Sequence, residues 1–151
     1  MWQRLVEAEI SPNSTLNQAL NCLLIETPGG RVLVETGIGE RMDEHHREQR
    51  GVTGLPILPA LRAAGFDPET VDLVALSHLH FDHAGGLLTA DGHQAFPRAR
   101  VVAQADEWEF ALGTNPRLIA SFPGGNTLVP TGNMLYIGDT DFGLIAARLE
   151  P

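Results

Sequence analysis

A chain of 151 residues is long enough for one sizeable core and too short for two independent domains, so a single domain over 1–151 is expected. Apolar residues make up 43% of the chain, yet no uninterrupted apolar run approaches the ~20 residues of a bilayer-spanning helix, which points to a globular protein that does not cross a membrane. The net charge is −9 and Lys is absent, so no large basic face can be built and a nucleic-acid or anionic-membrane partner is disfavoured.

The first stretch, MWQRLVEAEISPN, is too acidic and too weakly apolar for a secretory signal. Cys22 stands alone, which removes any intramolecular disulfide and fits a reducing compartment; a cytoplasmic location is the expectation. Residues 20–26 and 31–35 are two short apolar runs around TPGG, and that punctuation predicts a β-hairpin. GIGERMDEHHREQRGVTG, residues 37–54, is polar with no sustained apolar period and reads as a loop that can hold a helical turn. A short helix is predicted over 57–64, ended by Gly65, then a turn at Asp67-Pro68 and a buried strand at VDLVAL, residues 71–76.

SHLHFDHAGG follows at once, residues 77–86. A helix is predicted to start over 84–90, with DGHQAFPRA as a loop and RVVAQ as another strand. ADEWEFALG, with acidic residues early and apolar ones at helical spacing, predicts a helix closing on Gly113. From residue 114 turn formers dominate; MLYIGDT reads as a last strand, ending at Asp139, and a short tail completes the chain. Strands alternating with helices predict a layered α/β fold.

The cluster carries the chemistry. His78 and His80 are two apart just past a strand, so in extended chain both point to one side, and Asp82 and His83 lie on the turn that follows. Imidazole and carboxylate together suit zinc, and also iron, manganese or cobalt. Such an ion lowers the pKa of a bound water from 15.7 to about 7, which makes a hydroxide nucleophile for ester, lactone, amide or phosphoester hydrolysis. His45, His46 and His93 stand in polar loops and read as ordinary solvated side chains.

H-x-H-x-D-H with a trailing Gly-Gly resembles the metal-binding signature of the metallo-β-lactamase superfamily, and SHLHFDHAGG is most similar to its lactonase-type hydrolases, including those that open acyl-homoserine lactones. The likeness extends upstream through NCLLIETPGGRVLVETGIG, with Glu35 where an Asp is commoner before the Thr-Gly, and downstream through RVVAQADEWEFA. The resemblance implies an αββα sandwich of two similar halves, with His78 and His80 on one metal, Asp82 and His83 on a second, and Asp139 bridging both. It implies Zn2+, one or two ions, with Fe or Mn as alternatives, and a hydroxide on the metal attacking the carbonyl of a small ester or lactone. Asp82 would also shuttle a proton to the leaving oxygen.

Two family ligands have no counterpart: Asn126 stands where Gly-Gly-His-Thr would place a histidine, and no later His follows Asp139. The first half of the fold is expected complete and the second, from about 114, shortened or rearranged to one or two strands. A homodimer covering the exposed sheet face would follow. The sequence therefore supports a metallohydrolase and, beside it, a non-catalytic or weakly active metal-binding fragment or minimal version of the same fold. An iron-holding redox variant is disfavoured because its relatives carry an acidic residue where His80 stands.

Overall fold

The structure, a computed structural model, describes residues 17–107 together with the backbone of three later strands. The predicted hairpin forms as β1 (Leu23–Thr27) and β2 (Gly30–Val34), antiparallel and in register from Leu23↔Val34 to Thr27↔Gly30. Strands β3 (Leu73–Ala75) and β4 (Arg100–Val102) add in parallel, giving a four-stranded sheet of order β1-β2-β3-β4.

Two helices fill the crossover between β2 and β3. The first, α1 (Glu44–Arg50), is a seven-residue helix where a loop with a helical turn was expected. Its start is set by Asp43, whose side chain accepts from the His46 N–H at 2.9 Å. Its end is set by Gly51 at φ 63°, where the amides of Gly51 and Val52 close back on Glu48 and Arg47. No residue of α1 is buried, which is why no apolar period announced it.

Helix α2 (Ile57–Ala63) matches the predicted 57–64 and puts Ile57, Leu58 and Leu61 on one buried face. It ends in the same way: Gly65, at φ 85°, donates to Arg62 O, and Phe66 donates to Leu61 O. That face packs into a cluster with Leu33 and Val74 from the central strands, which are 1% and 0% exposed. Leu23, Ile25 and Val102 lie on the other side of the pleat and are exposed.

Beyond β3 the expected helix over 84–90 does not form. Instead a single helical turn, α3 (Phe81–Ala84), runs into a 3₁₀ turn (Gly85–Leu87), and Leu88 then bridges to Gln94. Gly85 and Gly86 pack directly against the backbone of Ile38 and Thr36.

The second half holds three strands where one or two were expected: β5 (Thr127–Thr131), β6 (Met134–Asp139) and β7 (Gly143–Arg148), antiparallel in that order. β7 runs beside β4 and the 3₁₀ turn. Of the helix expected over 105–113, residues 105–107 are helical and the remainder lies outside the described residues, as does Asn126. No helix among the described residues is long and apolar enough to cross a membrane.

Candidate metal centre

Three parallel strands end at the same edge of the sheet, and each hands its next residues to one place. Glu35 and Thr36 follow β2, the segment Ser77–His83 follows β3, and Glu107 comes a few residues after β4. In an α/β sheet the crevice outside the carboxyl ends of the strands is where ligands bind.

The two chain segments that frame the site are joined backbone to backbone. Thr36, fully buried, gives the His83 carbonyl a hydrogen bond from its amide at 2.8 Å and another from its hydroxyl at 2.7 Å. The Gly86 N–H returns to Thr36 Oγ1 at 3.1 Å and to the Gly37 carbonyl at 3.1 Å. This approach explains the glycines: a Cβ on Gly39 would collide with the Gly85 carbonyl, and one on Gly85 with that of Ile38.

Within this frame the ring centroids of His78 and His83 lie 3.8 Å apart, and those of His78 and His80 lie 4.6 Å apart, edge to face. One donor atom each from His78, Asp82 and His83 falls within 4.8 Å of the others, all three half-buried. Ligands on one tetrahedral zinc stand about 3.3 Å apart, so these atoms need to close by at most ~1.5 Å to hold an ion. The set of three does not include His80, whose ring flanks it on the His78 side. Asp139 is the last residue of β6, paired with Gly143; its side chain lies outside the described residues.

Neighbours orient the rings. Ser77 Oγ stands 2.9 Å from His78 Nδ1, leaving Nε2 as the ring nitrogen that contact does not occupy. Glu35 Oε2 faces His83 Nδ1 at 3.2 Å while Asp82 Oδ2 is 3.7 Å from Nε2. Glu35 Oε2 and His83 Nδ1 are both buried, and each has the other as a polar neighbour at 3.2 Å. A carboxylate behind one imidazole nitrogen, with the other nitrogen turned to a neighbouring carboxylate, is the arrangement that accompanies metal ligation by histidine, and the donor set fits a divalent cation.

Burial lowers the pKa of His78 from the ordinary imidazole value; the charges of His83 and His80 add to the shift, while Glu107 and Asp82 oppose it. His78 is therefore neutral at pH 7 with a lone pair to offer. At Glu35 burial acts upward but is outweighed by hydrogen bonds from Ser77 and by the charge of His83, so its carboxyl lies below the usual range and stays ionised. Glu35 holds this position at φ 64°, a left-handed conformation rare outside glycine.

Of the other histidines, His93 is 81% exposed and pairs with Asp91, as expected of a solvated side chain, whereas His46 is half-buried and faces Asp43 at the start of α1. The supporting residues Ser77, Glu107 and Thr36 carried no signal as site residues in the sequence. Only the Glu-Thr-Gly that ends β2 hinted at one of them.

Past the end of its third strand the α/β sheet gathers three histidines and an aspartate, of which His78, Asp82 and His83 form a donor set that could hold a cation. The model of the metallo-beta-lactamase superfamily matches residues 18–130, and the chain belongs to that superfamily. An N-acyl homoserine lactonase of Bacillus thuringiensis is 34% identical over 118 residues, covering 71% of this chain and 45% of that protein. The N-acyl homoserine lactonase AttM of Rhizobium radiobacter is 33% identical over 102 residues, covering 59% of this chain and 35% of that protein. The chain thus spans less than half the length of these curated relatives.

Among solved structures, a Staphylococcus aureus protein described as a probable metal-dependent hydrolase superposes with a TM-score of 0.69 at 22% identity, covering 99% of this chain and 61% of that one. AidC, a dizinc quorum-quenching lactonase in complex with its product N-hexnoyl-L-homoserine, superposes with a TM-score of 0.62 at 27% identity, covering 82% of this chain and 38% of that one. The first likeness concerns the fold alone.

Proposed function

We propose that the chain is a metal-dependent hydrolase acting on a small ester or lactone, with acyl-homoserine lactones as the first substrates to test. The observation that carries the reading is the convergence of His78, Asp82 and His83 within 4.8 Å at the strand ends of a superfamily member. The lactonase relatives and the dizinc neighbour support the choice of substrate and of Zn2+, one or two ions, over Fe or Mn.

In this reading His78 and His80 would hold one ion and Asp82 and His83 a second, with Asp139 as a further ligand. When bound, the ion supplies an electrophile for a carbonyl oxygen and brings the ionisation of water near neutral pH. Ser77 and Glu35 keep the rings of His78 and His83 turned toward the centre. Asp82, beside His83, accepts a proton and delivers it to the leaving oxygen.

A second reading, a metal-binding module without turnover, is favoured by His93. It is the one histidine between His83 and Asp139, and its exposed side chain pairs with Asp91 rather than joining the cluster. One experiment separates the two. Metal content is measured after purification, and hydrolysis of a generic ester and an acyl-homoserine lactone is followed with and without chelator. Chelator-sensitive turnover that disappears in His80→Ala establishes the hydrolase; a bound ion without turnover establishes the module; a chain that takes up no metal ends both.

A further inference from the structure

Past Ala75 the chain leaves the sheet. Leu76 makes one more sheet-like bond, its N–H donating to the Val102 carbonyl at 2.9 Å. The two amides that flank His78 then find carboxylates instead of a ladder: Ser77 N–H donates to Glu35 Oε1 at 3.0 Å, and Leu79 N–H donates to Glu107 Oε1 at 3.2 Å. These acceptors arrive from the two strands on either side of β3, Glu35 after β2 and Glu107 after β4.

Leu79 is the pivot between the two leading histidines. Its side chain belongs to the core cluster and is 9% exposed, so its amide is fixed from the inside by packing and from the outside by Glu107. With Leu79 held at both ends, the peptides joining it to His78 and His80 have little freedom, and the two rings stand edge to face. A half-buried glutamate bonded to backbone 28 residues away is also not an ordinary solvated surface acid.

We infer that Glu107 is a positioning residue for the metal centre: its carboxylate fixes the Leu79 amide and thereby the placement of His78 and His80. The inference rests on the metal-binding reading for its consequence, and on geometry alone for the contact. Residues of this kind, one step removed from the ion, commonly change metal affinity 10–100-fold when removed.

The test uses the full chain and three variants, Glu107→Ala, Glu107→Gln and Glu107→Asp. In metal-free protein the Leu79 amide is followed by hydrogen exchange and by its proton chemical shift. Zn2+ affinity is then measured by competition with a chromophoric chelator. Glu107→Ala is expected to lose Leu79 protection and to weaken Zn2+ by about 10–100-fold. Glu107→Gln, which keeps an acceptor oxygen at the same reach, restores part of both, and Glu107→Asp, which is shorter, restores neither. A Leu79 amide indifferent to all three substitutions overturns the inference, and so does Zn2+ affinity within twofold of wild type once that amide is released. If the wild type itself takes up no Zn2+, the hydrolase reading falls, while the Leu79 amide still decides whether Glu107 holds the loop. Should Glu107→Ala not fold, the Gln and Asp pair carries the same comparison.

Discussion

Thr36 and His83 are joined twice, the threonine amide and hydroxyl both donating to the histidine carbonyl at 2.8 and 2.7 Å. The hydroxyl oxygen in turn accepts from Gly86 N–H at 3.1 Å, so one buried side chain ties the end of β2 to the turn carrying Asp82 and His83. Thr36→Val keeps the shape and removes the hydroxyl. It leaves a buried carbonyl with one donor fewer and deprives Gly86 of one of its two acceptors, at a cost of about 1–3 kcal/mol. Thr36→Ser retains the hydroxyl and should lose less than half as much. Chemical denaturation of the metal-free chain checks both.

The same junction leaves no room for a Cβ at Gly39, Gly85 or Gly86. Gly39→Ala and Gly85→Ala each drive a methyl into a carbonyl of the opposite segment, and backbone cannot give way as a flexible side chain can. Each is expected to destabilise by about 1–3 kcal/mol and to weaken metal uptake along with it. Gly29→Ala is the control: its Cβ would meet nothing closer than Thr27 Oγ1 at 3.7 Å, and its effect should be within about 0.5 kcal/mol. Melting curves of the three proteins side by side decide the matter.

How much of this could be read from the sequence depends on how local each signal is. The hairpin at Pro28-Gly29, the helix ended by Gly65 and the strand before Ser77 were legible because short apolar runs meet Pro or Gly within a few residues. The convergence of His78, Asp82 and His83 was legible because these residues lie within one short stretch. Helix α1 was hidden by its lack of a buried face, although Asp43 and Gly51 mark both its ends. Strand β5 was hidden by Pro130, which an edge strand tolerates because its outer amides need no ladder partner. Strand β7, GLIAAR, passed for a tail because nothing nearby in sequence showed that β6 pairs with it along its whole length. Glu35 and Glu107 act on Ser77 and Leu79 across 42 and 28 residues, and that proximity exists only once the parallel strands are in register.

Acid should destabilise the metal-free chain in two separate windows. His78 is held below its ordinary value of 6.5, mainly by burial, so the unfolded chain binds that proton more readily than the folded one. Stability therefore falls as pH drops below 6.5 and levels off beneath the folded value. For Glu35, burial acts upward but the Ser77 bonds and His83 prevail, leaving the folded value below the ordinary 4.5. Its contribution is full above 4.5 and is lost as pH falls through the lower folded value. Thermal midpoints measured against pH should show both steps. His78→Gln should remove the upper one and Glu35→Gln the lower; a flat profile between pH 7 and pH 5 in the wild type would refute the His78 part.

The core beneath the site sets the scale against which these effects are judged. Leu33 is 1% exposed at the centre of the sheet, in one cluster with Val74 and the α2 residues Leu58 and Leu61. Leu33→Ala is expected to cost about 2–5 kcal/mol, the transfer of the lost atoms plus the cavity they leave. The loss should appear in global unfolding by denaturant, with no selective effect on the Leu79 amide.

Helix α1 should respond in the opposite manner, locally and not globally. It buries no residue, so its stability comes from its two ends and from Arg50, whose guanidinium sits 4.9 Å from the ring centroid of Phe81 in the site turn. Asp43 supplies the first end through the His46 amide at 2.9 Å and a side-chain contact to His46 Nδ1 at 2.6 Å. Asp43→Ala removes both and should weaken the helix by about 0.5–2 kcal/mol, whereas Asp43→Asn keeps the backbone cap and most of the stability. Because the core does not depend on α1, the denaturation midpoint should hardly move, while amide exchange over residues 46–50 speeds up by roughly the factor that ~1 kcal/mol implies, about fivefold. A global loss equal to the local one would mean that α1 unfolds together with the sheet, and that Arg50 on Phe81 couples the polar loop to the site turn more tightly than an exposed cation–π contact of about 0.5–1 kcal/mol allows.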